Sequence, residues 1–317
     1  VYILLDDVDE CVRELPALDV TVDDMRVGGV ALGRMEIQAR NRAAAQPQGR
    51  RQWQLSRFNI NTPEASLSAN GLWTLPISAR GQSGYTQLKF ELALRDVGQL
   101  LTRFDMPGVV ANGKGLLSGE VGWIGAPITP DYRSMAGKIH MDVGAGSFLK
   151  ADPGLAKLLG VLSLQALPRR LTLDFRDVFR NGFSFDFMRG DVQIQKGVAR
   201  TNNIQIKGVN AAVLMEGSAD LEKETQNLHV VIVPEINAMT ASLVATAINP
   251  VIGLGSFLAQ FLLRVPLNAA MTKELKIDGS WADPQVTEVP RSQRKSVLSG
   301  QNKLQAVPEE VKPVQGA

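Results

Sequence analysis

The feature that most constrains this chain is a period of two. Between residues 18 and 38, Leu18, Val20 and Val22 alternate with Asp19, Thr21 and Asp23; Gly28-Gly29 breaks the run, and Met35 and Ile37 resume it. The pattern is cleanest at 86–95, where Leu88, Phe90, Leu92 and Leu94 are set against Lys89, Glu91 and Arg95. Successive side chains of an extended strand point to opposite faces, so such a pattern gives a sheet with one dry face and one wet face. Trp53, Leu55, Phe58 and Ile60 repeat it with a phase slip at Ser56-Arg57, the mark of a bulge. Further strands are expected around Leu67 to Trp73, Gly115 to Trp123 and Lys138 to Val143, the last with Ile139 and Met141 on one face and His140 and Asp142 on the other.

From Leu171 to Pro234 the alternation becomes nearly continuous: Leu171, Leu173 and Phe175; Phe183, Phe185 and Phe187; Val192 and Ile194; Ile204 and Ile206; Val213 and Met215; then LHVVIV at 228–233. Asn181-Gly182, Arg189-Gly190, Lys196-Gly197 and Lys207-Gly208 fall at hairpin distances, which predicts an antiparallel meander. Leu275 and Ile277 give a last strand, closed by Asp283-Pro284.

Helices are few. Asp96 stands where an N-cap precedes VGQLLTRF. Asp152-Pro153 opens a second helix near 153–166, with Leu155, Leu158, Leu159 and Leu162 on its apolar stripe. Residues 236–263, between Glu235 and Arg264, form the longest stretch without a formal charge. A bilayer span needs about 20 apolar residues, but Asn249-Pro250 interrupts this one and splits it into a helical pair near 237–264. Capping the end of the sheet and touching a membrane are both open to that pair. Residues 290–317 carry mixed charge, three prolines and little periodicity, and read as a disordered tail.

Composition narrows the function. The 317 residues carry a net charge of +2, from 34 basic and 32 acidic side chains, which gives no basic footprint for nucleic acid. Cys11 is the single cysteine, so neither an intramolecular disulfide nor a thiolate metal site can form. The chain opens on Val1 without a basic and apolar leader, so it is expected to be a piece of something longer, with any membrane anchor outside it. His140 and His229 lie in strand patterns without metal-ligand spacing, and no nucleophile elbow, phosphate loop or HExxH is present. Ser292 and Lys295 make an isolated SxxK in the tail. Asp174, Asp177, Asp186 and Asp191, interleaved with Arg176, Arg180 and Arg189, read as a solvated cross-strand charge ladder. No catalytic residue, cofactor or metal is expected.

The stretch from Gly146 through ADPGLAKLLGVLSLQALPRRLTLDFRDVFRNGFSFDF to Gly208, then AAVLMEGSADLEKETQNLHVVIVPEI, AINPVIGLGSFLAQFLL and IDGSWADPQV, resembles the C-terminal region of the YhdP-type AsmA-like proteins of Gram-negative envelopes. LDVTVDDMRVGGVALGRMEIQAR, INTPEASLSANGLW and ALRDVGQLLTRFDMPG resemble the preceding β modules of that family. The resemblance implies a periplasmic segment of an inner-membrane-anchored protein, a mainly β, elongated and curled antiparallel sheet (β-taco-like) with an apolar groove, and phospholipid transport between the two membranes. Residues 1–130 would form upstream β modules with one short helix, and 131–289 the C-terminal β-groove region. Alternation and resemblance together assign Leu88, Phe90, Leu92, Ile139, Met141, Leu173, Phe175, Phe183, Phe185, Phe187, Ile204 and Ile206 to the groove. Leu243, Val251, Leu254, Phe257, Leu258 and Phe261 are assigned to the membrane-contact helices, facing the outer membrane. Phospholipid, membrane and other envelope proteins are the expected partners. The rival readings are an envelope assembly module with a closed β core and a β-rich hydrolase.

Overall fold

The computed structural model describes residues 15–42, 52–75, 84–149, 183–209, 211–234, 248–251, 253–257 and 272–290. The helix expected after Asp152-Pro153, the strand holding Leu173 and Phe175, Cys11, the tail and most of 236–263 lie outside them. The described strands are β1 (Leu18–Val27), β2 (Val30–Arg42), β3 (Gln52–Asn61), β4 (Ala65–Thr74), β5 (Tyr85–Leu94), β6 (Val110–Asn112), β7 (Gly115–Ile124), β8 (Ala136–Phe148), β9 (Phe183–Gln195), β10 (Val198–Gly208), β11 (Ala211–Asp220), β12 (Thr225–Pro234), β13 (Lys273–Ser280) and β14 (Pro284–Glu288). All belong to one sheet, and every ladder is antiparallel. Strand order follows chain order from β1 to β14, with β6 off the path and paired to β8. Among the described residues the sheet does not close: β1 and β14 each have a single partner.

Local chemistry explains the turns. Gly28 and Gly29 both have positive φ, +57° and +85°, and Lys196-Gly197 repeats this at +49° and +72°, which is the geometry a two-residue hairpin needs. The slip at Ser56-Arg57 is a true irregularity: the ladder of β3 jumps there against both neighbours. Arg189-Gly190 is not a turn: β9 runs unbroken through it, because Gly190 leaves room for Ile204 of the next strand to lie over it. The strand of Leu275 and Ile277 does end before Asp283-Pro284 but is not the last: Pro284 opens β14, at the first position of an edge strand, where a missing N–H costs no ladder bond. The ladder also crosses the 125–134 loop without a break, since β7 pairs with β8 over eight positions.

Helix α1 (Val97–Arg103) forms where its cap predicts: the Asp96 side chain accepts from the Gln99 N–H at 3.0 Å. It leaves the end of β5 and returns through β6, while β5 and β7 pair directly beneath.

A one-dry-face sheet is too simple for β11 and β12. Val213, Leu228, Val230 and Ile232 are buried on one side in a cluster with Phe183, Phe185 and Ile206. Ala212, Leu214, Val231 and Val233 are buried on the other side under Ile248, Leu254 and Phe257. Burial on both faces is why LHVVIV reads as an unbroken apolar run.

Candidate functional site

Register assembles the alternate apolar positions into one face. Across the sheet, Val22 stands opposite Met35, then Ile60, Leu67, Leu92, Leu117 and Met141 in successive strands. A second row runs Val20, Ile37, Phe58, Ala69, Phe90, Gly119, Ile139 and Val192. From β2 to β8 these side chains are half-buried. Glycine keeps the face low: a Cβ on Gly119 would stand 3.0 Å from the Phe90 ring and 2.5 Å from the Lys138 carbonyl oxygen. Phe90 thus lies flat across a neighbouring strand.

The two margins of this face, at opposite strand ends, are closed by packing. At one, Trp53 and Trp73 face each other and bury with Ala39 and Leu55, and Trp53 Nε1 donates to the Pro16 carbonyl at 2.8 Å. At the other, Leu101 of α1 and Val109 and Val110 pack into the cluster that holds Val143, Phe148, Phe183 and Phe185. Phe148 and Phe185 have ring centroids 5.2 Å apart.

The expected groove residues fall into three groups. Leu88, Phe90, Leu92, Ile139 and Met141 lie on the half-exposed part of the face, and Ile204 is half-buried over Gly190. Phe183, Phe185 and Ile206 are 7%, 2% and 5% exposed, inside the packed cluster. Phe187 is turned to the opposite side. The register against β10 slips by one residue between Phe185 and Phe187, so Phe187 stands opposite Lys207 with the Arg189 guanidinium 4.1 Å above its ring. Alternation within β9 had placed it with Phe185; a bulge breaks that parity.

The uncharged stretch has an equally definite geometry where it is described. Asn249 caps a turn, its Oδ1 accepting from Val251 N–H, and residues 253–257 are helical. Leu254 is 0% exposed against the polar-side surface of β11 and β12, and Phe257 packs beside it. Asn202 Nδ2 donates to the Pro250 carbonyl at 2.7 Å and pins the turn to β10. Val251 is 83% exposed. Leu254, expected at a membrane surface, is buried here over Ala212, Leu214, Val231 and Val233. Leu243, Leu258 and Phe261 lie outside the described residues.

The wet face carries a cleft of about 1730 Å³, lined by Glu91, Ser118, His140, Asp191, His229 and the turn at Pro250 and Val251. His140 Nδ1 meets Asp191 Oδ1 at 2.8 Å, and Asn203 Nδ2 donates to the other carboxylate oxygen at 2.7 Å. Burial alone would raise the Asp191 carboxyl; the hydrogen bonds from His140 and Asn203 outweigh it and hold it below the usual range. Asp186 pairs with Lys207 at 3.5 Å, so the described members of the aspartate series do form cross-strand polar contacts, with Lys207 and His140 as their partners.

One group escaped sequence reading. His229 is bracketed by Glu216 on β11, 3.4 Å from Nδ1, and Glu274 on β13, 3.2 Å from Nε2. Burial would depress the imidazole, but hydrogen bonds to the two carboxylates overcome this and push its pKa up to about 9. The Glu216–His229 half was visible as facing polar positions of one hairpin. Glu274 is 45 residues further on and reachable only through the folded register. Among the described residues no group of three or more His, Cys, Asp or Glu is placed to hold a metal ion, and no helix is long and apolar enough to cross a membrane.

Fold and face together define an open, mainly β scaffold carrying a continuous apolar surface. The family model described as "YhdP protein" matches residues 5–286. A curated relative, the "Intermembrane phospholipid transporter YhdP" of Escherichia coli (strain K12), is 32% identical over 237 residues, covering 74% of this chain and 18% of the relative. The chain belongs to the YhdP family. No solved structure matches it.

Proposed function

We propose that this chain is a periplasmic segment of an envelope phospholipid transporter, and that the half-buried apolar face from β2 to β8 shields acyl chains as they pass between the inner and outer membranes. The observation that carries the reading is the continuity of that face: six strands contribute apolar side chains in register, and none is fully covered. An acyl chain left in water loses about 0.8 kcal/mol per CH₂, so a face without polar gaps lets a lipid advance without paying that cost repeatedly. The relative's name supports phospholipid as the ligand. Curling of the sheet into a groove is supported by the reach of α1. Arg103 bonds the Ala31 carbonyl of β2 while β6 pairs with β8, five strands away and about 24 Å distant in a flat sheet.

In this reading residues 1–130 are an upstream β module and 131–289 the C-terminal groove region. The helical pair near 237–264 ends the path at the outer membrane. The chain carries lipid without transforming it. The test is photo-crosslinking in cells from Phe90 and Ile139, with Lys89 and Lys138 on the opposite face as controls. Phospholipid captured at the first pair and not at the second supports the assignment; equal or absent capture overturns it. The assembly-module reading is favoured by one observation, the burial of β11 and β12 on both faces. Lipid mass spectrometry separates the two, since a closed core carries no stoichiometric lipid.

A further inference from the structure

We propose that α1 is a clasp which sets the width of the apolar face's opening, and that Glu64 and Arg103 are its positioning residues; the functional part of this rests on the lipid reading above, the geometric part does not. Arg103 forks onto Glu64, with Nε to Oε2 at 2.9 Å and Nη2 to Oε1 at 2.7 Å, and its third donor, Nη1, reaches the Ala31 carbonyl at 2.9 Å. Both side chains are largely buried, 22% and 15% exposed, in contrast to the surface pair of Arg26 and Asp24, each 66% exposed. The fork therefore joins three elements: β2, the turn that enters β4, and α1. On its other side the same excursion is fixed to β8 by the β6 ladder and by Leu149 N–H, just past β8, donating to the Val109 carbonyl.

The result is a bridge from β2 to β8 over the apolar face, made of seven helical residues, about 10 Å of axial length, and one arginine side chain. Backbone hydrogen bonds hold the β8 end. The β2 end depends on one side chain. Bidentate arginine–carboxylate pairs fix direction as well as distance, so the fork to Glu64 aims Nη1 at the Ala31 carbonyl, and that aimed bond holds β2 at one position relative to β8. Removing it frees β2 to move outward while leaving every ladder bond intact. Residues that set this spacing also set how bulky a lipid the face admits.

The test uses the intact chain with Cys11→Ser, spin-labelled at Arg34→Cys on β2 and Asp142→Cys on β8, both exposed positions. Glu64→Gln and Arg103→Lys are each expected to shift the inter-label distance outward and broaden it, raising the population of wider states by about tenfold, with far-UV circular dichroism unchanged. Lys223→Ala, which breaks an exposed pair with Asp220, is expected to leave the distance alone. An unchanged distance in Arg103→Lys, the variant that keeps the charge and is the less disruptive of the two, overturns the clasp. Where the distance widens, capture of lipid at Phe90 is expected to extend to bulkier species; widening with an identical lipid profile overturns its role in selection. A chain that binds no lipid even without substitution counts against the lipid reading alone, because the distance measurement still decides the clasp.

Discussion

His229 and Glu64 are the two residues whose surroundings act most strongly on their charge, and they act in opposite pH ranges. The His229 pKa is about 9 in the fold against 6.5 for a free imidazole, so its contribution to stability is complete below pH 6.5 and is lost as pH rises through 9. The urea midpoint of the unsubstituted chain is therefore expected to fall between pH 7 and pH 10, and His229→Gln to flatten that decline. Glu64 behaves in the reverse sense. Its hydrogen bond to Arg103 holds its pKa at about 2 against 4.5, so its contribution is present above pH 4.5 and disappears as pH falls through 2. Glu64→Gln is expected to lose stability at neutral pH and to show a shallower acid transition. Gly119 matters for space instead of charge: Gly119→Val drives atoms into the Phe90 ring and the Lys138 carbonyl, and is expected to destabilise the chain by about 1–3 kcal/mol in thermal melts.

At the scale of elements, the segment at 248–257 is held by apolar burial and one peg. Leu254→Ala is expected to lower stability by about 2–5 kcal/mol, with Asn202→Ala near 1 kcal/mol, both read from denaturant midpoints. The break at Asn249-Pro250 was legible because proline denies the residue before it a helical conformation. The side on which the segment packs was not legible, because it depends on Ala212, Leu214, Val231 and Val233 forming a patch across two strands. Strands with one wet face, such as β5, could be read residue by residue from Leu88 to Leu94. β9 could not: its Arg189-Gly190 imitates a turn, and its bulge reverses the parity that Phe183 and Phe185 set for Phe187. Helix α1 was visible from Asp96 and its apolar stripe, whereas β6, only three residues long, has too little pattern to show. The apolar half of the candidate site thus followed from local alternation, and the polar half, Glu216–His229–Glu274 and Glu64–Arg103, came from contacts between distant segments.

At the scale of the molecule, an apolar face with few charges near it is expected to respond to one kind of substitution. Ile139→Asp or Phe90→Glu places a carboxylate in the proposed acyl path and is expected to abolish lipid capture, while Lys138→Glu, on the neighbouring strand position but the other face, is expected to leave it intact; lipid mass spectrometry of the purified chain distinguishes them. The sheet's order carries a different consequence. Because each strand on the path pairs with its neighbour in sequence, every hairpin interacts chiefly with the two beside it, as repeats do in a solenoid. Such a chain can gain or lose a hairpin by duplication or deletion without rewiring the remainder, and each hairpin changes its span by about 9.5 Å. Its length is then an evolutionary variable that moves in fixed increments, and any distance it has to span can be matched by counting hairpins.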